Sequence, residues 1–120
     1  MPTLPQRFET PNAVMLAYAS RELTNSELAL WRADMAGGAS GPLHTVDAEQ
    51  VLVVIAGEIE ACVDDDRHVL GEGGSIVLPA GAQRQIHNRR SAPAAFLAAS
   101  RSGAMASTED RRDVVIPWAA

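Results

Sequence analysis

The chain has 120 residues, room for one core, and 47% of them are apolar, which excludes a disordered tail. Its 10 basic and 15 acidic side chains leave a net charge of −5, so no phosphate-binding basic face and no nucleic-acid partner are expected. Cys62 is the only cysteine, which rules out an internal disulfide and predicts a buried structural thiol in a reducing, cytoplasmic compartment. No apolar run approaches the roughly 20 residues of a membrane span. The opening "MPTLPQRFETP" lacks the charged start and apolar middle of a signal peptide.

Short β-rich runs follow one another along the chain. The first is "AVMLAYA" (13–19). "RELTNSELALWRADM" offers Leu23, Leu28 and Leu30 for a helical face, but its second half alternates and ends before Gly37-Gly38. Glu27 to Met35 therefore reads as a strand. "QVLVVIA" (50–56), "EIEACV" (58–63), "HVL" (68–70), "SIVLP" (75–79), "RQIHN" (84–88), "AAFLAAS" (94–100) and "DVVIP" (113–117) continue the series. Turn residues separate them at Gly57, Asp64-Asp65-Asp66, Gly71 to Gly74, Pro79 to Gly81 and Ser91 to Pro93. Many short strands at this spacing predict an antiparallel sandwich or barrel, with residues 1–120 as a single all-β domain.

Two spaced motifs sit inside this pattern. From Gly38 the chain reads Gly, five residues, His44, one residue, Val46, three residues, Gln50, six residues, Gly57. Fifteen residues later it reads Gly73, five residues, Pro79, one residue, Gly81, two residues, Arg84, three residues, Asn88. Segments 38–57 and 73–88 resemble the first and second motifs of the cupins, G-x5-H-x-H-x3-E-x6-G and G-x5-P-x-G-x2-H-x3-N. The resemblance implies a double-stranded β-helix, a jelly-roll barrel of two antiparallel sheets with a pocket in its lumen. It also implies a homodimer, and the small bacterial polyketide-cyclase cupins are of similar size.

The family's usual metal ligands, three histidines and a glutamate, fall on His44, Val46, Gln50 and Arg84. Valine has no lone pair and arginine is always cationic, so no tightly held metal cofactor is expected. A weak divalent ion would draw on His44, Gln50 and, from the approach to the strand, Asp47. Glu49 and His87 have the wrong strand parity, and His68 sits beside a hairpin.

If Gln50 and Arg84 point inward, so do Leu52, Val54 and Ile86. With Val46 and Trp31 they make an apolar ligand-binding lumen on which His44, Gln50 and Arg84 converge as the candidate catalytic groups. Arg84 must find a carboxylate from elsewhere, reach the barrel mouth, or meet a bound anion or enolate. His44 is either a hydrogen-bonded structural residue or a proton base, with Arg84 and Gln50 stabilising the oxyanion it creates. Trp31 packs the core or lines the barrel, and Trp118 seals a sheet edge or a dimer contact. "DDDRH" (64–68) reads as a solvated turn, and Gly71 to Gly74 lacks the following helix a phosphate loop needs. Three functions compete: a metal-independent isomerase, cyclase or dehydratase acting on a carbonyl or anionic metabolite; a non-catalytic metabolite-binding module; and, against the ligand substitutions, a metal-dependent oxygenase.

Overall fold

The computed structural model describes residues 2–120. In chain order its elements are β1 (Gln6–Glu9), β2 (Val14–Ala19), a one-turn helix α1 (Arg21–Thr24), β3 (Leu28–Met35), β4 (Thr45–Val46), β5 (Gln50–Ala56), β6 (Ile59–Val63), β7 (Asp66–Leu70), β8 (Ser75–Leu78), β9 (Arg84–His87), β10 (Ala94–Arg101), β11 (Met105–Ser107), β12 (Val114–Val115) and a 3-10 turn (Pro117–Ala119).

One antiparallel sheet has the order β1-β2-β3-β10-β5-β8. Facing it are two three-stranded pieces, β12-β11-β4 and β7-β6-β9. Bridges Ser40↔His87 and His44↔Arg84 dock the 40–46 segment on β9 and join the two pieces into the second sheet. This is the jelly-roll expected from the motif spacing.

Period-two alternation decides what is buried. Along β3, Ala29, Trp31, Ala33 and Met35 face inward while Leu28, Leu30, Arg32 and Asp34 face out. β5 turns in Gln50, Leu52 and Val54, and β10 turns in Ala94, Phe96, Ala98 and Ser100. The core therefore lies between the sheets.

Two glycines of the first motif region are fixed by close approach. A Cβ on Gly37 would stand 2.1 Å from the Ser91 carbonyl oxygen. Gly57 has a φ of +71°, and a Cβ there would stand 2.6 Å from the Pro93 oxygen. Asn88 of the second motif is 1% exposed and donates through Nδ2 to the carbonyls of Met35, Ala36 and Ala92, tying the end of β3 to the loop before β10. No helix among the described residues is long and apolar enough to cross a membrane.

Candidate functional site

A cavity of about 430 Å³ opens between the sheets. Its walls are apolar, drawn from Met15, Trp31, Met35, Leu52, Leu78, Ile86 and Phe96. Exposed Pro11, Pro42, Arg111 and Pro117 mark its mouth. His44, Gln50 and Arg84 all reach it, together with Thr10, Asn12, Thr108 and Arg111, and none of its lining residues is an aspartate or a glutamate.

The backbone explains why His44 and Arg84 meet. The two residues exchange both N–H···O bonds (3.0 and 2.8 Å), as a directly opposed antiparallel pair. Directly opposed residues project to the same face, here the lumen. Gln50 reaches the same space from β5 on the other sheet.

Arg84 is 1% exposed. Its Nε–H donates to the Ala82 carbonyl (3.0 Å), one Nη2–H to the Pro79 carbonyl, and one Nη1–H to Gln50 Oε1 (3.0 Å). The Pro79–Gly81 turn of the second motif thus holds the guanidinium with its own carbonyls. A guanidinium has five donors, so two N–H groups remain without an acceptor among the described residues. Arg84 forms no salt bridge among the described residues. Burial pulls its pKa down from the ordinary arginine value, the field of Asp64 opposing this only in part.

His44 Nδ1 lies 2.8 Å from the Pro42 carbonyl oxygen. A carbonyl only accepts, so Nδ1 carries the proton and Nε2 keeps a free lone pair. Burial, and then the charge of Arg84, hold the imidazole pKa below its usual value despite the Pro42 bond. Gln50, 6% exposed, accepts from Arg84, and its amide N–H groups donate to no acceptor among the described residues. From these three residues the lumen is offered donors of Arg84 and Gln50 and one lone pair of His44.

Residues 31–100 match the family model described as the cupin domain. The chain is a cupin. Solved structures agree on the fold. AerE from Microcystis aeruginosa superposes with a TM-score of 0.73 at 18% identity over 82% of this chain, which spans about half (46%) of AerE. The TT1209 protein of Thermus thermophilus gives 0.68 at 19% identity, covering 80% of this chain and 89% of its own. A cupin-superfamily sugar phosphate isomerase from Silicibacter pomeroyi gives 0.69 at 21% identity, covering 89% and 75%. A comparison with curated protein sequences found no match.

Within this cupin, the four motif positions do not fit a metal. Arg84 places a cation where a ligand would stand, and Val46, 1% exposed, is packed in the core and does not reach the cavity wall. Asp47 points away from the lumen, accepting from the Met105 N–H (2.8 Å) and pairing with Arg101 (3.1 Å), so it supplies no ligand beside His44 and Gln50. A separate cluster on the outer face of β6 and β9 brings donors of Glu60, Cys62 and His87 within 4.8 Å of one another. Both Glu60 oxygens are already held, by Arg67 (2.8 Å) and Arg89 (3.2 Å), which push its pKa down to about 2. His87 Nδ1 is engaged with Ser40 Oγ (2.7 Å). A metal ion there would have to displace two guanidinium groups.

The structure brings His44, Gln50, Arg84, Trp31, Leu52 and Ile86 to one cavity. Val46 and Val54 face inward as expected and belong to the buried core, but they are not among the residues that line this cavity. Strand parity gives direction and does not tell whether the lumen is open there. Trp118, expected at a sheet edge or a dimer contact, lines the cavity and rests against Phe8 with ring centroids 6.4 Å apart. Phe96 and Arg111 were also missed. Phe96 could have been found as the one large residue on the inward parity of "AAFLAAS". Arg111 comes from a loop and carries no such pattern.

Proposed function

We propose that residues 1–120 form one cupin domain that takes a small organic acid or enolisable carbonyl compound into its lumen and moves a proton on it, without a tightly held metal. The observation that carries this reading is Arg84: a guanidinium 1% exposed, with no carboxylate partner, on a cavity without acidic lining. A buried cation held only by neutral acceptors costs several kcal/mol, which a bound anion offsets. His44 Nε2 takes the proton from carbon or oxygen. The negative charge left on the guest's oxygen is stabilised by the free N–H groups of Arg84 and Gln50, oriented before the reaction begins. Isomerisation, cyclisation and dehydration of carbonyl compounds all pass through such an enolate.

The test is solvent exchange. Wild-type protein incubated with 2-oxo and 3-oxo acids in D2O is expected to speed loss of their α-C–H proton NMR signals over buffer. His44→Ala is expected to abolish the effect while keeping the fold. Binding of the acids without exchange would favour the second reading, a metabolite-binding module, for which the anion-receptive lumen is equally suited.

The family resemblance also suggests a homodimer. The outer face of the six-stranded sheet supports it, because Leu30, Ala99, Val51 and Val77 form one cross-strand row in which Leu30, Val51 and Val77 are 39, 42 and 53% exposed. Sedimentation velocity on wild type and Val51→Lys reads this directly. The free thiol of Cys62 supports a reducing, cytoplasmic setting.

A further inference from the structure

The chain is poor in aromatic residues, at 4% of its length, yet both tryptophans and one of its two phenylalanines line the cavity. Trp31 is 4% exposed, and its indole N–H donates to no acceptor among the described residues. Among the described residues no fully enclosed side-chain nitrogen or oxygen lacks a partner. The Trp31 N–H is therefore not sealed in protein, and it opens on the cavity that its ring lines. A buried indole N–H ordinarily finds an acceptor, and hydrocarbon cannot supply one.

Around this ring the sequence places the smallest side chains. Ala29 and Ala33 flank Trp31 along β3, and Ala98 and Ala17 stand opposite it on the neighbouring strands. β10 separates β3 from β5, so Trp31 and Leu52, which share a cross-strand row through Ala98, come from strands about 10 Å apart with only that alanine between them. A gap of that width admits a flat ring, whose faces need about 3.5–4 Å to each wall.

We propose that the guest is an aromatic acid. Its ring lies against Trp31, Phe96 and Trp118, its acid group is held by Arg84 and Gln50, and one of its oxygens accepts from the Trp31 indole N–H. This rests on the anion-binding reading above and adds the carbon skeleton to it. An aliphatic acid would offer the same oxygens and be served equally by Leu52, Leu78 and Ile86, but it would leave the aromatic faces of Trp31, Phe96 and Trp118 without a ring to stack on.

Isothermal titration of the full chain with three probes tests it: 2-naphthoate, its saturated counterpart decahydro-2-naphthoate, and the neutral 2-naphthalenemethanol. 2-Naphthoate is expected to bind about tenfold more tightly than the saturated acid. Trp31→Phe, which keeps a ring but removes the donor, is expected to lose about five- to tenfold in affinity for 2-naphthoate. It should retain the wild-type circular dichroism. If that variant does not fold, the wild-type comparison and Trp118→Phe, expected to narrow the preference for the aromatic acid, still decide. Equal affinity for the two acids overturns the aromatic inference and leaves the anion reading standing. Alcohol binding as tight as acid binding removes the anion reading. Absence of heat with either acid at millimolar concentration overturns both.

Discussion

Replacing Arg84 with methionine separates what this side chain does for the fold from what it does for a guest. Two large terms oppose each other in the empty protein. Removing a guanidinium from water costs several kcal/mol. Against that stand three hydrogen bonds, to Ala82, Pro79 and Gln50, each worth about 1.5–3 kcal/mol because the donor is charged. Methionine keeps an unbranched apolar stem, stops short of the guanidinium and removes both terms. The freed carbonyls face a cavity that water can enter, so Arg84→Met is expected to change the stability of the empty protein by less than about 2 kcal/mol. The acid-bound protein should differ sharply. At a hundred times Kd a ligand adds about 2.7 kcal/mol, or roughly 10 °C in a domain of this size. Melting curves with 2-naphthoate and with octanoate should show that rise for wild type with at least one acid, and less than about 2 °C for Arg84→Met. An unchanged acid-induced rise in the variant would refute Arg84 as the anion anchor. A loss above about 5 kcal/mol in the empty variant would refute the opposition of terms.

Three further outcomes follow from the geometry. The NMR titration midpoint of His44 is expected below the ordinary imidazole value of 6.5, because burial and Arg84 disfavour its charged form; a midpoint above 6.5 would contradict the neutral-base role. Glu60 has a folded pKa of about 2 against 4.5 unpaired, so its contribution to stability is complete above pH 4.5 and is lost as pH falls toward 2. Urea unfolding of wild type and Glu60→Gln between pH 2 and pH 6 should therefore converge at the acid end, and a constant gap would exclude the Arg67–Glu60–Arg89 network as its source. Plasma mass spectrometry of untagged protein is expected to find metal well below one ion per chain, with no change in melting after chelator treatment; near-stoichiometric metal would overturn the reading of Val46 and Arg84.

Much of the fold was legible because its signal is local. The alternation in "LALWRADM" and "QVLVVIA" marks half-buried strands, and the spacing of His44, Gln50, Gly57, Pro79 and Gly81 marks how they are joined. The elements that escaped notice lack such a signal. β1 is an edge strand of polar, mostly exposed residues, β4 and β11 are two and three residues long, and α1 is a single turn held by its Ser20 and Asn25 caps rather than by an apolar face. At the site, parity gave the inward direction of Gln50, Leu52, Arg84 and Ile86. It did not show that Leu52 lines the cavity while Val54 does not, since that depends on what the opposite sheet places there. Nor did it show the holders of Arg84, which are backbone carbonyls of a turn and leave no mark in residue identity.

The pairing of Arg84 with Gln50, and not with a glutamate, carries the last expectation. A glutamate at position 50 is what the first-motif resemblance implies, and in this lumen its carboxylate would stand where Gln50 Oε1 lies, 3.0 Å from Arg84 Nη1. It would neutralise the guanidinium permanently. Glutamine keeps the length and the acceptor but leaves the charge uncompensated, so the positive field remains for a guest. Gln50→Glu is therefore expected to fold and to melt no lower than wild type. The guanidinium's desolvation is common to both proteins, and the new attraction offsets that of the added carboxylate. The same substitution should weaken organic-acid binding at least about tenfold, since the guest would meet a neutral pair with a second carboxylate beside it. Titration calorimetry with 2-naphthoate and with octanoate reads the loss. Wild-type affinity in a folded Gln50→Glu protein would mean that the charge on Arg84 is not what holds the acid. The anion would then have to sit nearer the exposed Arg111 at the mouth.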